Sequence, residues 1–151
     1  MATANNVYAD PSALLKLYLH EPESQRMAAW RAKVRAPLAV THHGRVELVN
    51  GVALAAHRKL ISEQAFGAAF AALDDDFDQG RYYQADLLWR ATLKRAAELS
   101  REHSRSLGTR SLDVLHVASA MELGLRTFIT FDVRQQNLVK AVGLKLFVPF
   151  G

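Results

Sequence analysis

Asp10, Glu47, Asp113 and Asp132 stand where an ionised side chain is least expected, each at the edge of an apolar, periodic segment. A charge beside a core segment is costly unless it is paired or bound to a cation. The four lie far apart in the chain, so only a fold brings them together. Converged without a partner they would repel one another, and a divalent metal such as Mg²⁺ or Mn²⁺ is the simplest compensation. Such a metal takes oxygen ligands and lowers the pKa of a bound water. A carboxylate it leaves free can orient that water or act as a general base. The chemistry this set would support is metal-dependent phosphodiester hydrolysis. Each residue also has a plainer role open to it. Asp10 before Pro11 could cap a helix, and Asp132 could cap the helix that begins near Arg134. Glu47 could face solvent, and Asp113 could pair with Arg110.

The elements that must position these residues alternate between strand and helix. Val7–Ala9 reads as a strand ending at Asp10, with Pro11 in the first turn of a helix over Ser12–Leu19. Pro22 opens a second helix to about Lys33, and Leu38–Thr41 is a strand. A helix over about Arg45–Lys59 carries Val46, Val49 and Ala53 on one face. Ser62 caps a helix reaching Phe77, and Gly80 marks a turn. Asp86 caps a long helix, Leu87–His103, which Gly108 separates from a helix over Ser111–Leu123. Gly124 ends that helix. Thr127–Thr130 is a strand, Arg134–Val142 a helix, Gly143 its stop and Lys145–Val148 a last strand. The alternation predicts a parallel α/β sheet. Ligands of such sheets sit beyond the carboxyl ends of the strands. Asp10 and Asp132 would both project there. Glu47 and Asp113 lie near helix N-termini, where the macrodipole favours a carboxylate.

With 151 residues, half of them hydrophobic, the chain predicts one domain over 1–151 with a sizeable core. It has no cysteine, which excludes disulfides, thiolate metal sites and a cysteine nucleophile and fits a reducing cytosol. No basic stretch precedes an apolar run at the N-terminus, and no apolar run reaches the ~18 residues of a membrane span. The expected location is cytoplasmic, without a membrane. Net charge is +4, and setting the four acids aside leaves 19 bases against 11 acids. A basic surface around an acidic centre suits a polyanionic ligand.

Four segments together resemble a known family: VYADPSALLKLY, VELVNGVAL, RSLDVLHVASAMELG and TFITFDVRQQNLVKAVGLKL. In order and spacing the chain is similar to PIN domains, and particularly to the VapC toxins of type II toxin–antitoxin systems. The resemblance covers nearly the whole chain, apart from a motif-free middle over roughly Ile61–His103. It implies a three-layer α/β/α fold with a mainly parallel central sheet and a Mg²⁺- or Mn²⁺-dependent endoribonuclease. It makes Asp10, Glu47, Asp113 and Asp132 the catalytic acids, with Asp10, Asp113 and Asp132 on the metal. Thr130 matches a hydroxyl position two residues before the last Asp, and Ser12 a small polar residue beside the first. Phe131 and Val133 stand where some relatives carry a further acid or Asn, so the number of metals stays open. The implied partners are an RNA substrate, a cognate VapB-like antitoxin and a second copy of the chain.

Other residues have weaker claims. His116 shares a helix face with Asp113 and could orient it, touch RNA or be a buried structural histidine. Arg110 could pair with Asp113 or meet phosphate, and Arg45 and Asn50 could line the pocket. His42 and His43 lack a second pair at metal spacing and read as a solvated turn. Asp74, Asp75, Asp76 and Asp78 point in different directions and read as a solvated helix end. Leu14, Leu15, Leu17 and Tyr18 exceed what one core face needs, and Leu14, Leu17 and Tyr18 could meet a partner. Three other readings are a PIN nuclease that processes RNA or DNA without an antitoxin, an aspartyl-nucleophile phosphatase and a non-catalytic binding module. The phosphatase would need Asp where Ser12 stands.

Overall fold

The computed structural model describes residues 6–150. The elements run β1 (Val7–Ala9), α1 (Pro11–Leu15), α2 (Ser24–Lys33), β2 (Leu38–Thr41), α3 (His42–His57), α4 (Glu63–Asp78), β3 (Tyr82–Ala85) and α5 (Trp89–Leu99), then α6 (Arg105–Leu107), α7 (Ser111–Glu122), β4 (Thr127–Ile129), α8 (Val133–Ala141) and β5 (Lys145–Phe147). A π-helical turn, Ser100–Ser104, joins α5 to α6.

Every strand pairing is parallel. β4 lies between β1 and β5, with Ala9 opposite Ile129 and Ile129 opposite Phe147. β2 pairs with β3 and packs beside β1. Successive strand side chains point to opposite faces, and that alternation builds two cores. Tyr8, Phe128, Ala39 and Ala85 enter one, with Leu99, Val117 and Leu138 from α5, α7 and α8. Val7, Ala9, Leu38, Val40 and Ile129 enter the other, with Leu14, Met27, Leu48 and Leu73 from α1 to α4. Helices on both faces of a parallel sheet make the expected three layers.

Several details depart from the sequence reading. β3 was not legible, because Tyr83 and Gln84 break its apolar pattern and only pairing with β2 defines it. α1 stops at Leu15, and Gly51 on α3 lets it approach closely: a Cβ there would lie 2.5 Å from Leu15 Cδ1. α3 begins at His42 because Thr41 Oγ1 caps it, accepting from Gly44 N at 2.9 Å. Its core face is Leu48, Val52 and Ala55, whereas Val46 is 67% exposed and Val49 40%. Leu14 is 1% exposed, so it belongs to the core and offers a partner nothing. Asp86 does not cap α5, since its carboxylate takes His42 Nε2 at 2.8 Å. Asp75 and Asp76 are not simply solvated, because both hold Arg81 and Asp76 also accepts from Tyr18. Among the described residues no helix is long and apolar enough to cross a membrane.

Candidate active site

Asp10 leaves β1 at its carboxyl end. Its N–H extends the sheet ladder to Ile129 O at 3.0 Å, and its buried side chain caps α1. Oδ2 accepts from Ser12 N at 3.0 Å and from Ser12 Oγ at 2.5 Å. Pro11 at the first helical position has no N–H to satisfy, so the cap serves Ser12. Thr130 is level with Asp10 at the end of β4, and Asp132 stands two residues further on. It caps α8, with Oδ1 accepting from Gln135 N at 3.1 Å, and its own N–H donates to Thr130 Oγ1 at 3.1 Å. Thr130 is buried, and its carbonyl accepts from Gln136 Nε2 at 2.9 Å. The hydroxyl thus fixes the turn that presents Asp132.

Asp113 is in the first turn of α7. Arg110, 74% exposed, places Nε 3.5 Å from Asp113 Oδ2 and a terminal nitrogen 3.9 Å from Asp132 Oδ2. One guanidinium therefore bridges two of the expected site acids. Burial pushes the Asp113 carboxyl up, and the charges of Asp10 and Asp132 push it further against the opposing pull of Arg110. Gln135 joins the remaining pieces: Nε2 donates to Asp10 Oδ1 at 2.9 Å and to the Asp113 carbonyl at 3.1 Å.

Glu47 is held from another direction. Its Oε1 accepts from His116 Nε2 at 2.6 Å, and His116 Nδ1 lies 2.6 Å from the Tyr8 hydroxyl. A carboxylate can only accept, so Nε2 carries the proton. Burial pulls the His116 pKa down, but the Glu47 hydrogen bond and the charges of Asp10, Glu47 and Asp113 outweigh it, leaving the value raised. At 1% exposure His116 is out of reach of RNA, and it orients Glu47 where the sequence suggested Asp113.

A model of the PIN domain family matches residues 7–141. The chain belongs to the PIN domain family. The crystal structure of FitAcB from Neisseria gonorrhoeae is similar in fold, at 19% identity and a TM-score of 0.60, over 93% of this chain and 96% of that one. No curated protein sequence matches the chain significantly.

PIN nuclease domains generally use divalent metal ions. Among the described residues of this PIN domain, no three Asp, Glu or His side chains are grouped as a ready-made cation site. Each acid is instead held by other side chains: Ser12 and Gln135 hold Asp10, Arg110 lies against Asp113 and Asp132, and His116 holds Glu47. The residues nevertheless fit a hard cation. The donor set is carboxylate oxygen, which Mg²⁺ and Mn²⁺ favour. Asp113 feels two like charges that a cation would offset. Gln135 Oε1 is buried without a protein partner; such an orphan costs about 1–3 kcal/mol, and a bound ion is one of the things that accounts for it.

Gln135 and Tyr8 are the contributors that sequence reasoning missed. Gln135 sits three residues after the cap Asp132, where a capping box would send the side chain back to the cap N–H; here it turns inward to Asp10. Tyr8 is a polar-tipped ring in a three-residue strand directly before Asp10, and that was its only signal. Arg45 and Asn50 line an outer groove of α3 with Val46 and Val49.

His42 and His43 open α3 and do not form a turn. The His43 ring stacks on His116 at 4.6 Å and meets Trp89 edge-on at 5.2 Å. Burial, then the charge of His116, lowers the His43 pKa from 6.5 to about 4. The unfolded chain takes up this proton near pH 6.5 and the folded chain does not, so stability falls as pH drops from 6.5 toward 4. His43→Phe keeps the ring stack and removes the proton. Urea midpoints at pH 5 and pH 8 should lie closer together in the variant, and an unchanged gap would disprove the assignment to His43.

Proposed function

We propose that this PIN domain is a single-domain, cytoplasmic, Mg²⁺- or Mn²⁺-dependent endoribonuclease, the toxin of a toxin–antitoxin pair. One observation carries the reading. Gln135 ties the Asp10 carboxylate to the Asp113 backbone, and Arg110 lies between the Asp113 and Asp132 carboxylates, beside the carboxyl ends of β1 and β4, in a chain whose remaining charge is basic. A bound divalent metal would supply an activated water and charge neutralisation at the scissile phosphate. Asp10, Asp113 and Asp132 would hold it. Ser12 and Gln135 keep the Asp10 carboxylate oriented, and Thr130 keeps Asp132 at its turn. Glu47, held by the His116–Tyr8 pair and partly open to solvent, would be the carboxylate left to orient the attacking water. Arg110, exposed and bound only to carboxylates, is free to turn to a substrate phosphate once those carboxylates are otherwise engaged.

The partner assignments rest on two surfaces. A groove lined by Leu17, Tyr18, Ala28, Arg31 and Ala32 offers an apolar floor to an antitoxin segment. The acidic pair already accepts a guanidinium from Arg110, so an Arg or Lys of that segment could take the same place. The exposed Val46–Val49 face of α3 supports a second copy as partner.

Purified protein should cut RNA with Mg²⁺ or Mn²⁺ and stop with EDTA. Expression alone should arrest growth, and Asp10→Ala should relieve the arrest. Cleavage without growth arrest or an inhibitory neighbouring gene product would favour the processing nuclease. No cleavage with any metal would favour a binding module. Seven bases against one acid in Arg26–Lys59, and seven against three in Arg81–Arg110, predict a basic rim. RNA binding by a cleavage-dead variant should therefore weaken steeply with salt as counterions are released, and a flat response would exclude that rim as the main source of affinity.

A further inference from the structure

We propose that Gln135 is a positioning residue for the metal centre: Ser12 leaves Asp10 Oδ1 as the open oxygen, and Gln135 fixes which of its lone pairs is left to meet the cation; this rests on the metal-dependent reading above. Gln135 is fully buried in the first turn of α8. Its amide orientation is settled by its neighbours. Asp10 Oδ1 and the Asp113 carbonyl are both acceptors, so the nitrogen faces them at 2.9 and 3.1 Å. The oxygen is left buried and unpartnered.

An apolar side chain of the same length would carry no orphaned oxygen at this position. The retained amide is therefore understood from its nitrogen. That single donor group ties the end of β1 to the first turn of α7, while the backbone of the same residue is tied to Asp132 at 3.1 Å. Three acids from three elements are thus referred to one residue. A neutral donor suits the task. Lys or Arg would hold Asp10 as firmly, but its charge would occupy the site that the cation needs.

The lone pairs of Asp10 sharpen the inference. A carboxylate offers about four acceptor sites. Ser12 uses both on Oδ2, through its N–H at 3.0 Å and its hydroxyl at 2.5 Å. Gln135 uses one on Oδ1. One remains, on Oδ1, so Asp10 would bind a cation through that oxygen alone, at an angle Gln135 sets. Partners behind a ligand typically change metal affinity 10–100-fold when removed.

The test uses the full chain with Gln135→Met, which conserves volume, and Gln135→Asn, whose shorter amide cannot reach both acceptors. Mn²⁺ affinity is measured by calorimetry and by the electron paramagnetic resonance signal of free Mn²⁺, and melting is recorded without metal. The expected result is Mn²⁺ binding about 10–100-fold weaker in both variants. The metal-free melting temperature of Gln135→Met should fall, since Asp10 Oδ1 and the Asp113 carbonyl lose their donor, so the affinity of the folded variants is the deciding readout. If Gln135→Met does not fold, Gln135→Asn decides by the same affinity ratio. Wild-type Mn²⁺ affinity in the folded variants, with or without a lowered melting temperature, would reduce Gln135 to structural glue and overturn the proposal while the metal-dependent reading stands. A wild-type chain that binds no Mn²⁺ would overturn both.

Discussion

Asp113→Asn should lower RNA cleavage roughly 10²- to 10⁴-fold, the range expected when a positioned catalytic carboxylate is lost, while leaving the protein as stable as before or more so. The two halves of this expectation share one cause. Asp113 is partly buried, and its carboxyl is pushed up by desolvation and by the charges of Asp10 and Asp132. The folded protein is therefore strained by that charge, and a neutral amide of the same shape relieves it. The ion pair with Arg110, Nε 3.5 Å from Asp113 Oδ2, is lost, but Arg110 is 74% exposed and that loss is small. A residue kept for stability would behave in the opposite way, with melting falling and any loss of activity following from it. Single-turnover cleavage in Mn²⁺, set beside thermal melting of the same sample, separates the two cases. Cleavage within a few-fold of wild type would remove Asp113 from the catalytic set. Asp10→Asn would report less cleanly, because its new NH₂ would face either Ser12 or Gln135, which are donors too.

The largest effect on stability is expected at Phe128. It is 0% exposed, lies on β4 between β1 and β5, and stacks on Tyr8 with ring centroids 5.3 Å apart. Phe128→Ala removes a full aromatic side chain from the centre of one core and should cost about 3–5 kcal/mol. At roughly 2–4 °C per kcal/mol for a chain of this size, melting should fall by roughly 6–20 °C. The substitution should also reach the site. Tyr8 loses its stacking partner, and Tyr8 is what His116 bonds on the side away from Glu47. Val133→Ala, at a position 66% exposed on α8, is the matched control and should stay within about 0.5 kcal/mol. Urea unfolding of the two variants measures both costs, and a Phe128→Ala cost below about 1 kcal/mol would contradict the packing described.

What the sequence determined by itself is local. A strand's end, a cap, Pro at the first helical position and Gly after the last are set by residues within about one turn, so β1, β2, β4, α4, α7 and the stops at Gly124 and Gly143 were legible. The same locality placed Asp10 and Asp132 at strand ends and Asp113 in a first turn. The alternation of elements then determined the layers, and with them the sheet edge beyond which Asp10 and Asp132 lie. The family resemblance drew on the same four acidic segments, and the family match bears it out.

What the tertiary structure alone decided is which donor meets which acid. Gln135 and Asp10 are 125 residues apart, Tyr8 and His116 108, and His116 and Glu47 69. Those contacts exist because β4 pairs with β1, and because α7 packs over the sheet so that its inward-facing His116 reaches Tyr8 from β1 and Glu47 from α3. Strand order and helix rotation are set by how the whole core packs, and no window of sequence encodes them. The same holds for β3, a strand only because β2 lies beside it, and for Leu14, whose burial depends on α2, α3 and α4 closing around it.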